Sequence, residues 1–184
     1  MAEFFTEVTE AQQKFIAAQH MFFVATAASE GRISLSPKGL DTFRCLTPNL
    51  VGYLDLVGSG NETAAYLKAD GRITFMFCAF QGRPLILRLY GKGRTVQPHS
   101  PDWPEFAAQF PDMAGARQII LADIQSVQTS CGYAVPEYEL KQDRKVLSDW
   151  LDNKGADGLH AYQREKNMVS IDGFDTGLFP IKAD

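Results

Sequence analysis

Short segments of β-strand character constrain the fold of this chain more than any other feature of its sequence. Each is rich in β-branched and aromatic residues, or alternates polar with apolar residues as a strand with one buried face does. There are six of them, at residues 22–27, 32–36, 51–56, 73–80, 85–90 and 118–129. Because few helical segments lie between them, the pattern predicts a mainly β fold, a closed antiparallel barrel with peripheral α-helices.

Helical segments are predicted at the start of the chain, in two connections between strands and in the final third. Thr9 and Gln12 have the spacing of a capping box, which places a helix over about 9–20. The other helices are predicted at 62–68, 102–110, 144–153 and 159–165. We therefore expect a single domain over residues 1–184, with a core at about 10–130 and a C-terminal helical extension at 131–184.

The charge pattern excludes two classes of partner. The chain has 184 residues and a formal net charge of −4, and it contains no basic run. Nucleic acids and anionic membranes bind clustered Lys and Arg, so we expect neither as a partner. The longest apolar runs, 21–28 and 73–80, are too short to cross a bilayer. The three cysteines are dispersed and odd in number, which is typical of reduced thiols in a soluble cytoplasmic protein.

The segment Ser59–Thr63 is the strongest candidate for a binding site. It follows a predicted strand directly and opens a predicted helix. The N–H groups and the dipole of a helix N-terminus attract anions, and a glycine such as Gly60 lets the backbone approach a phosphate closely. Ser59, Asn61 and Thr63 add side-chain donors. An ordinary helix N-cap is the alternative interpretation of these residues.

A second candidate lies at the end of the second predicted strand. Ser34 and Ser36 share one face of that strand, because strand side chains alternate, and Lys38 follows them. Hydroxyl groups beside an ammonium group suit a phosphate. A polar outer face followed by a turn is the alternative interpretation.

The sequence does not single out catalytic or metal-binding residues. His20, His99 and His160 lack the spacing of metal ligands, so we predict no metal site. No serine or cysteine lies in a nucleophile-elbow pattern. The glycines of Gly91-Lys92-Gly93 lack the following glycine and helix of a dinucleotide-binding motif, and they indicate a bulge or bend in a strand.

These segments, in this order, resemble the pyridoxamine-phosphate-oxidase-like family of FMN-binding split barrels. The resemblance depends on the ordered set and covers about residues 10–97. The set consists of an N-terminal helix followed by Phe22–Ala27, Gly31–Gly39, Tyr53–Thr63, Arg72–Phe77 and Leu87–Gly91. Ser126–Tyr133 is also typical of one branch of the family.

The resemblance implies a six-stranded antiparallel split barrel that forms a homodimer, with FMN in a cleft at the subunit interface. In such proteins the second strand and the helix start after the third strand hold the phosphate, while the third strand borders the flavin ring. Carried over to this chain, the residues at the phosphate are Ser34, Ser36, Lys38, Ser59, Gly60, Asn61, Glu62 and Thr63. The residues beside the ring are Tyr53, Leu54 and Asp55.

Two departures separate the chain from true pyridoxamine-phosphate oxidases. Those enzymes carry Arg-Lys after the serine at the helix start, where this chain has Gly60-Asn61. They also end with an Arg-x-His element that grips the vitamin phosphate, and the segment 177–184 lacks it. We therefore expect a substrate other than pyridoxamine phosphate.

The resulting prediction is an FMN-dependent oxidoreductase that acts on a small molecule, with NADH or NADPH as the candidate electron donor. Its catalytic residues are unknown at this point. Two alternatives stay open. One is a flavin-binding or redox-sensing protein without turnover. The other is a split barrel that binds a deazaflavin or haem, the latter with His20, His99 or His160 as the axial ligand.

Overall fold

A curled antiparallel sheet dominates the structure, a computed structural model that describes residues 2–179. In that range the strands are β1 (Glu3–Phe5), β2 (Met21–Thr26), β3 (Ser34–Gly39), β4 (Phe43–Cys45), β5 (Leu50–Leu56), β6 (Arg72–Cys78), β7 (Ile86–Val96) and β8 (Ala116–Ser130). They pair in the order β3-β2-β6-β7-β8-β5-β4, with β1 beside β8. The mainly β split-barrel class is confirmed, with eight described strands instead of six. Within residues 2–179 the path ends at β3 and β4 and is not closed by hydrogen bonds.

Two short strands account for the difference in strand number. β1 and β4 have three residues each, too few for an alternating pattern to stand out in the sequence. β4 lies in the stretch that the sequence predicts as a connection, and it pairs with β5 so that Phe43 lies opposite Tyr53. Pairing with a longer strand, and not local composition, makes these residues extended.

The helices of the described range are α1 (Glu10–Ala17), α2 (Glu62–Ala69), α3 (Trp103–Ala107) and α4 (Val146–Lys166). The predicted capping box is confirmed: Thr9 Oγ1 accepts from Gln12 N at 3.3 Å, and Gln12 Oε1 accepts from Thr9 N at 2.9 Å. α4 spans both predicted C-terminal helices, and Gly155 interrupts it with a φ of 63° and a ψ of 173°. Among these helices, none is long and apolar enough to cross a membrane.

Apolar side chains bury both faces of the central strands. The larger cluster, on one face of the sheet, includes the rings of Phe22, Phe43, Tyr53, Phe75 and Phe77. The smaller cluster lies on the opposite face against α3 and includes Leu54, Val96, Phe110, Ile119 and Leu121. Asp55, near the end of β5, therefore lies at the margin of a core and is itself buried.

A bulge between Tyr90 and Gly91 changes the register of β7 against β8. A Cβ added at Gly91 would lie 2.2 Å from the backbone oxygen of Asp123, so a side chain does not fit there. This confirms the bulge that the sequence predicts.

The predicted orientation of β3 is wrong: the face predicted to be buried is the exposed one. The alternation in 32–36 predicts that Ile33 and Leu35 face a core, but these side chains are 77% and 64% exposed. β3 is the last strand of the sheet path and pairs with β2 alone. Its other face, with Ser34 and Ser36, is the more buried one and borders a cleft.

Candidate functional site

A cleft of about 620 Å³ lies at the N-terminus of α2. Its walls come from β3, the end of β5, the turn before α2, the start of β8 and the residues that follow α4. The structure brings nine of the eleven predicted site residues together there: Ser34, Ser36, Lys38, Asp55, Ser59, Gly60, Asn61, Glu62 and Thr63. Two segments that are separate in sequence thus face one cavity of a size common for small-molecule sites.

Tyr53 and Leu54 are the two predicted residues that do not line this cleft. The Leu54 side chain faces the opposite side of the sheet, where it packs in the smaller apolar cluster. Tyr53 shares the face of Asp55 but lies two residues deeper, fully buried in the larger cluster. Burial raises the pKa of Tyr53 well above its usual range. Of the predicted ring segment, only Asp55 reaches the cleft by its side chain.

The start of α2 is not capped by its own N-cap side chain. Asn61 occupies the N-cap position, and it makes no capping hydrogen bond there. Its Oδ1 accepts instead from Gln118 Nε2 at 2.7 Å, and its Nδ2 donates to the carbonyl oxygen of Asn167 at 3.4 Å. The Asn61 side chain is therefore a buried connector, not the free donor that the sequence predicts. The first-turn amides of α2 keep their ability to bind an anion.

Glu62 brings a negative charge to the same helix terminus. Its carboxylate accepts from the backbone nitrogen of Ile171, with Oε2 at 3.0 Å and Oε1 at 3.2 Å. A carboxylate in the first turn of a helix interacts favourably with the positive end of the helix dipole. The hydrogen bonds of Glu62 also connect α2 to the segment that follows α4. An anion bound in the cleft would lie at the same helix terminus as the Glu62 carboxylate.

The buried carboxylate of Asp55 is the centre of a polar cluster at the base of the cleft. Asp55 Oδ2 accepts from Arg117 Nη2 at 2.6 Å, from Arg117 Nε at 3.1 Å and from Gln118 Nε2 at 2.8 Å. Lys38 Nζ lies 3.4 Å from Asp55 Oδ1. Burial alone would raise the pKa of Asp55, but the Arg117 and Lys38 cations and these hydrogen bonds outweigh it and lower the pKa below its ordinary value. Asp55 is thus a fixed negative charge at neutral pH.

A second bulge explains how Arg117 and Gln118 reach the same carboxylate. Asp55 pairs with Gln118 and Leu56 with Ala116, so Arg117 has no partner on β5. Consecutive strand residues normally face opposite sides, and an extra residue in one strand removes that alternation locally. Arg117 also donates from Nη1 to the carbonyl oxygen of Gly60 at 2.9 Å. The ion pair thereby holds the turn that precedes α2.

The segment 167–176, which we call the C-terminal strap, closes one side of the cleft. Asn167 is fully buried, and its Nδ2 donates to the carbonyl oxygen of Gly58 at 3.1 Å. Asp172 accepts from Tyr66 Oη at 2.6 Å, and it also pairs with Arg32. The strap contributes Val169, Ser170 and Ile171 to the cleft, and Lys166 precedes it at the end of α4.

Sequence reasoning missed Arg117 and the strap. For Arg117 a signal was present: it is a charged residue at the entry of the apolar run 119–122, and buried charges require partners. For the strap no periodic pattern exists, and its residues were predicted only as an irregular tail. The predicted C-terminal difference from true oxidases, at 177–184, lies mostly outside the described residues.

Most of this chain is similar in sequence to known proteins. Residues 8–131 match the family model described as pyridoxamine 5'-phosphate oxidase. The chain is 33% identical over 193 residues to the pyridoxamine 5'-phosphate oxidase family protein ustO of Aspergillus flavus, a match that covers 94% of this chain and 77% of that protein.

Solved structures show the same fold at low sequence identity. A HupZ variant from Group A Streptococcus is similar with a TM-score of 0.55 at 17% identity, covering 67% of this chain and 99% of that one. A candidate pyridoxamine 5'-phosphate oxidase from Lactobacillus delbrueckii is similar with a TM-score of 0.53 at 16% identity, covering 67% and 94%. Both cover about two thirds of this chain.

Proposed function

The chain belongs to the pyridoxamine 5'-phosphate oxidase family, and from this premise we propose that it binds FMN in the cleft and acts as an oxidoreductase on a small molecule. One observation carries the proposal: Ser34, Ser36 and Lys38 of β3 face the turn and helix start Ser59–Thr63 across one cavity. NADH or NADPH is the proposed electron donor.

The donor set of the cleft fits a phosphate monoester. The Asn61 side chain does not cap the amides at the start of α2, and such amides bind anions. The hydroxyl groups of Ser34, Ser36 and Ser59 add neutral donors. Three cations line the cleft, Lys38, Arg117 and Lys166, against two carboxylates, Asp55 and Glu62. The cleft therefore carries a positive balance, which favours an anionic ligand.

When bound, the flavin ring supplies the hydride and electron chemistry, and the protein supplies position and electrostatics. Asp55 holds Arg117, and Arg117 holds the carbonyl oxygen of Gly60, so the polar cluster fixes the turn on which the phosphate is proposed to lie. The lowered pKa of Asp55 keeps it ionised at neutral pH, and we assign it a positioning role and no proton transfer.

The test is an absorption spectrum of the purified protein before and after addition of FMN, with excess flavin removed by gel filtration. We expect a retained two-band flavin spectrum that bleaches with NADH or NADPH and returns with an electron acceptor. Retained flavin that neither donor reduces would support flavin binding without turnover. A colourless protein that retains no FMN would overturn the proposal.

Haem is disfavoured by the position of the histidines. His20 borders a different cavity, of about 250 Å³, and none of the three histidines lines the cleft within the described residues. We therefore expect no Soret band in the same spectrum.

Removal of the hydroxyls of Ser59 and Thr63 is expected to weaken FMN binding about tenfold, because two neutral hydrogen bonds to the phosphate are lost. Titration of S59A/T63A with FMN and with riboflavin, which lacks the phosphate, measures this. Exposed Ser29 gives the matched control, S29A, which should bind FMN as the wild type does. Equal affinity of the double variant for FMN would place the phosphate elsewhere.

We further propose a homodimer in which the partner covers the cleft. Large apolar side chains surround the cleft mouth and are exposed: Leu35, Val169 and Ile171 line it, and Ile33 lies two residues before Leu35. Exposed apolar surface of this kind favours association. Leu35→Glu is expected to shift the protein from dimer to monomer in sedimentation or light scattering. Val146→Glu, an equally exposed site on α4, is the control, and a monomeric wild type would contradict the proposal.

The same proposal treats residues 1–184 as one domain that works in the cytoplasm. Contacts of the strap with Gly58 and α2 support one domain, because Asn167 and Thr176 are buried and Glu62 and Tyr66 of α2 bond to the strap. The dispersed cysteines support a reducing compartment.

A further inference from the structure

We propose that Lys166 is the cation that neutralises the flavin phosphate, and that the C-terminal strap positions it beside the start of α2. This inference rests on the proposed function, since it assigns one more residue of the same cleft to the same ligand. It concerns a part of the chain outside residues 8–131, which the family model matches.

The other two cations of the cleft are already engaged. Arg117 is almost fully buried, and Nε, Nη1 and Nη2 donate to Asp55 or to Gly60. Lys38 Nζ lies 3.4 Å from the same carboxylate. Asp55 carries one negative charge against these two positive charges, and its carboxylate contacts both cations at the base of the cleft. Neither is free to move onto a ligand without leaving a buried carboxylate less well paired.

Lys166, in contrast, does not pair with a buried carboxylate. Its side chain is 51% exposed, and its ion partner in the described chain is the adjacent Glu165, whose side chain is 67% exposed. An ion pair between two exposed, flexible side chains contributes little and is screened by salt. The ammonium group of Lys166 can therefore exchange Glu165 for a phosphate with little loss.

Asn167 fixes the backbone next to Lys166 against the proposed phosphate turn. Its Nδ2 donates to Gly58 O, and its own carbonyl oxygen accepts from Asn61 Nδ2 and from Thr176 Oγ1 at 2.7 Å. Gly58 and Asn61 flank Ser59-Gly60, so both sides of the turn contact the residue that follows Lys166. Asn167 is thus a positioning residue for the Lys166 side chain.

The start of α2 carries no cation of its own. The segment Ser59–Thr63 contains the Glu62 carboxylate and neither Lys nor Arg. Asn61 is used to hold the strap. In this proposal the positive charge therefore comes from the end of α4.

The experiment compares FMN with riboflavin in titrations followed by flavin fluorescence, for wild type, Lys166→Gln, Lys166→Arg and the control Lys141→Gln. Lys141 is an exposed residue before α4, so its change removes the same charge elsewhere. We expect Lys166→Gln to weaken FMN binding about tenfold, as for one charge-assisted contact, and to leave riboflavin binding unchanged. Lys166→Arg should restore FMN affinity, and Lys141→Gln should not alter it.

Unchanged FMN affinity of Lys166→Gln, or an equal loss for FMN and riboflavin, would overturn the inference while the proposed function stands. A wild type that binds neither flavin would overturn the proposed function itself, and this inference with it. A loss in Lys141→Gln as large as in Lys166→Gln would show that only net charge matters and would also overturn the assignment.

Discussion

Replacement of Arg117 by methionine is expected to lower the free energy of unfolding by about 3–5 kcal/mol at pH 7. Both partners of the Asp55–Arg117 pair are almost fully buried, at 2% and 3% side-chain exposure. The variant keeps the carboxylate in the base of the cleft and removes two of the hydrogen bonds to its Oδ2. Urea unfolding followed by circular dichroism measures the loss.

The pH dependence of this loss has a definite sign. In the wild type the pKa of Asp55 is below its ordinary value of 3.8, so its contribution to stability is present above that pH and is lost as the pH falls through the lowered pKa. In the variant we expect burial to outweigh the remaining Lys38 charge and Gln118 hydrogen bond and to raise the pKa of Asp55, so that the folded state takes up a proton as the pH falls. The difference between wild type and variant should therefore be largest at neutral pH and shrink towards about pH 4.

A double variant separates the buried charge from the packing around it. Asp55→Leu together with Arg117→Met removes both charges and should recover most of the stability, because a buried pair is often replaceable by apolar residues. Equal losses in the single and double variants, with no dependence on pH, would contradict the assignment of Asp55 as an ionised group.

The substitution Gly91→Ala is expected to destabilise the fold by about 3 kcal/mol. The added Cβ would lie 2.2 Å from the carbonyl oxygen of Asp123 and 3.2 Å from the Cα of Ile124. These are backbone atoms of the neighbouring strand, so the clash is relieved only by separation of β7 from β8. Thermal and urea unfolding both measure the effect.

Gly158→Ala is the matched control for that substitution. Gly158 lies inside α4, and a Cβ there would meet only the Lys154 side chain, at 3.6 Å. Alanine should stabilise this position by about 0.5–1 kcal/mol because it favours the helix. Equal stability of Gly91→Ala and wild type would show that the bulge is not required for the β7–β8 pairing.

The strands that composition and alternation mark strongly were predictable from the sequence. The run 118–129, for example, became β8, and 51–56 became β5. The faces of β3 were not predictable in the same way. Alternation shows that Leu35 and Ser36 point to opposite sides, but the position of β3 at the end of the sheet path decides which side is buried.

The parts of the candidate site that depend on short sequence segments were predictable. A helix start after a strand and a serine-lysine strand end are local signals, and the structure brings them together. The polar cluster is not local, because Asp55 and Arg117 are 62 residues apart and meet through the pairing of β5 with β8 and its bulge. Glu62 and Ile171 are 109 residues apart, and no periodic pattern connects them.

That separation has a consequence for the order in which the molecule assembles. Among residues 2–179 the strands of the sheet all lie before residue 131, whereas one wall of the cleft comes from 166–171. Distant contacts form late, since closing a long loop costs entropy before any contact is gained. As the chain emerges from the ribosome, the barrel can fold around its aromatic core while the cleft is still open on one side. We expect the proposed flavin to be captured only after α4 and the C-terminal strap have docked, and not by the nascent barrel.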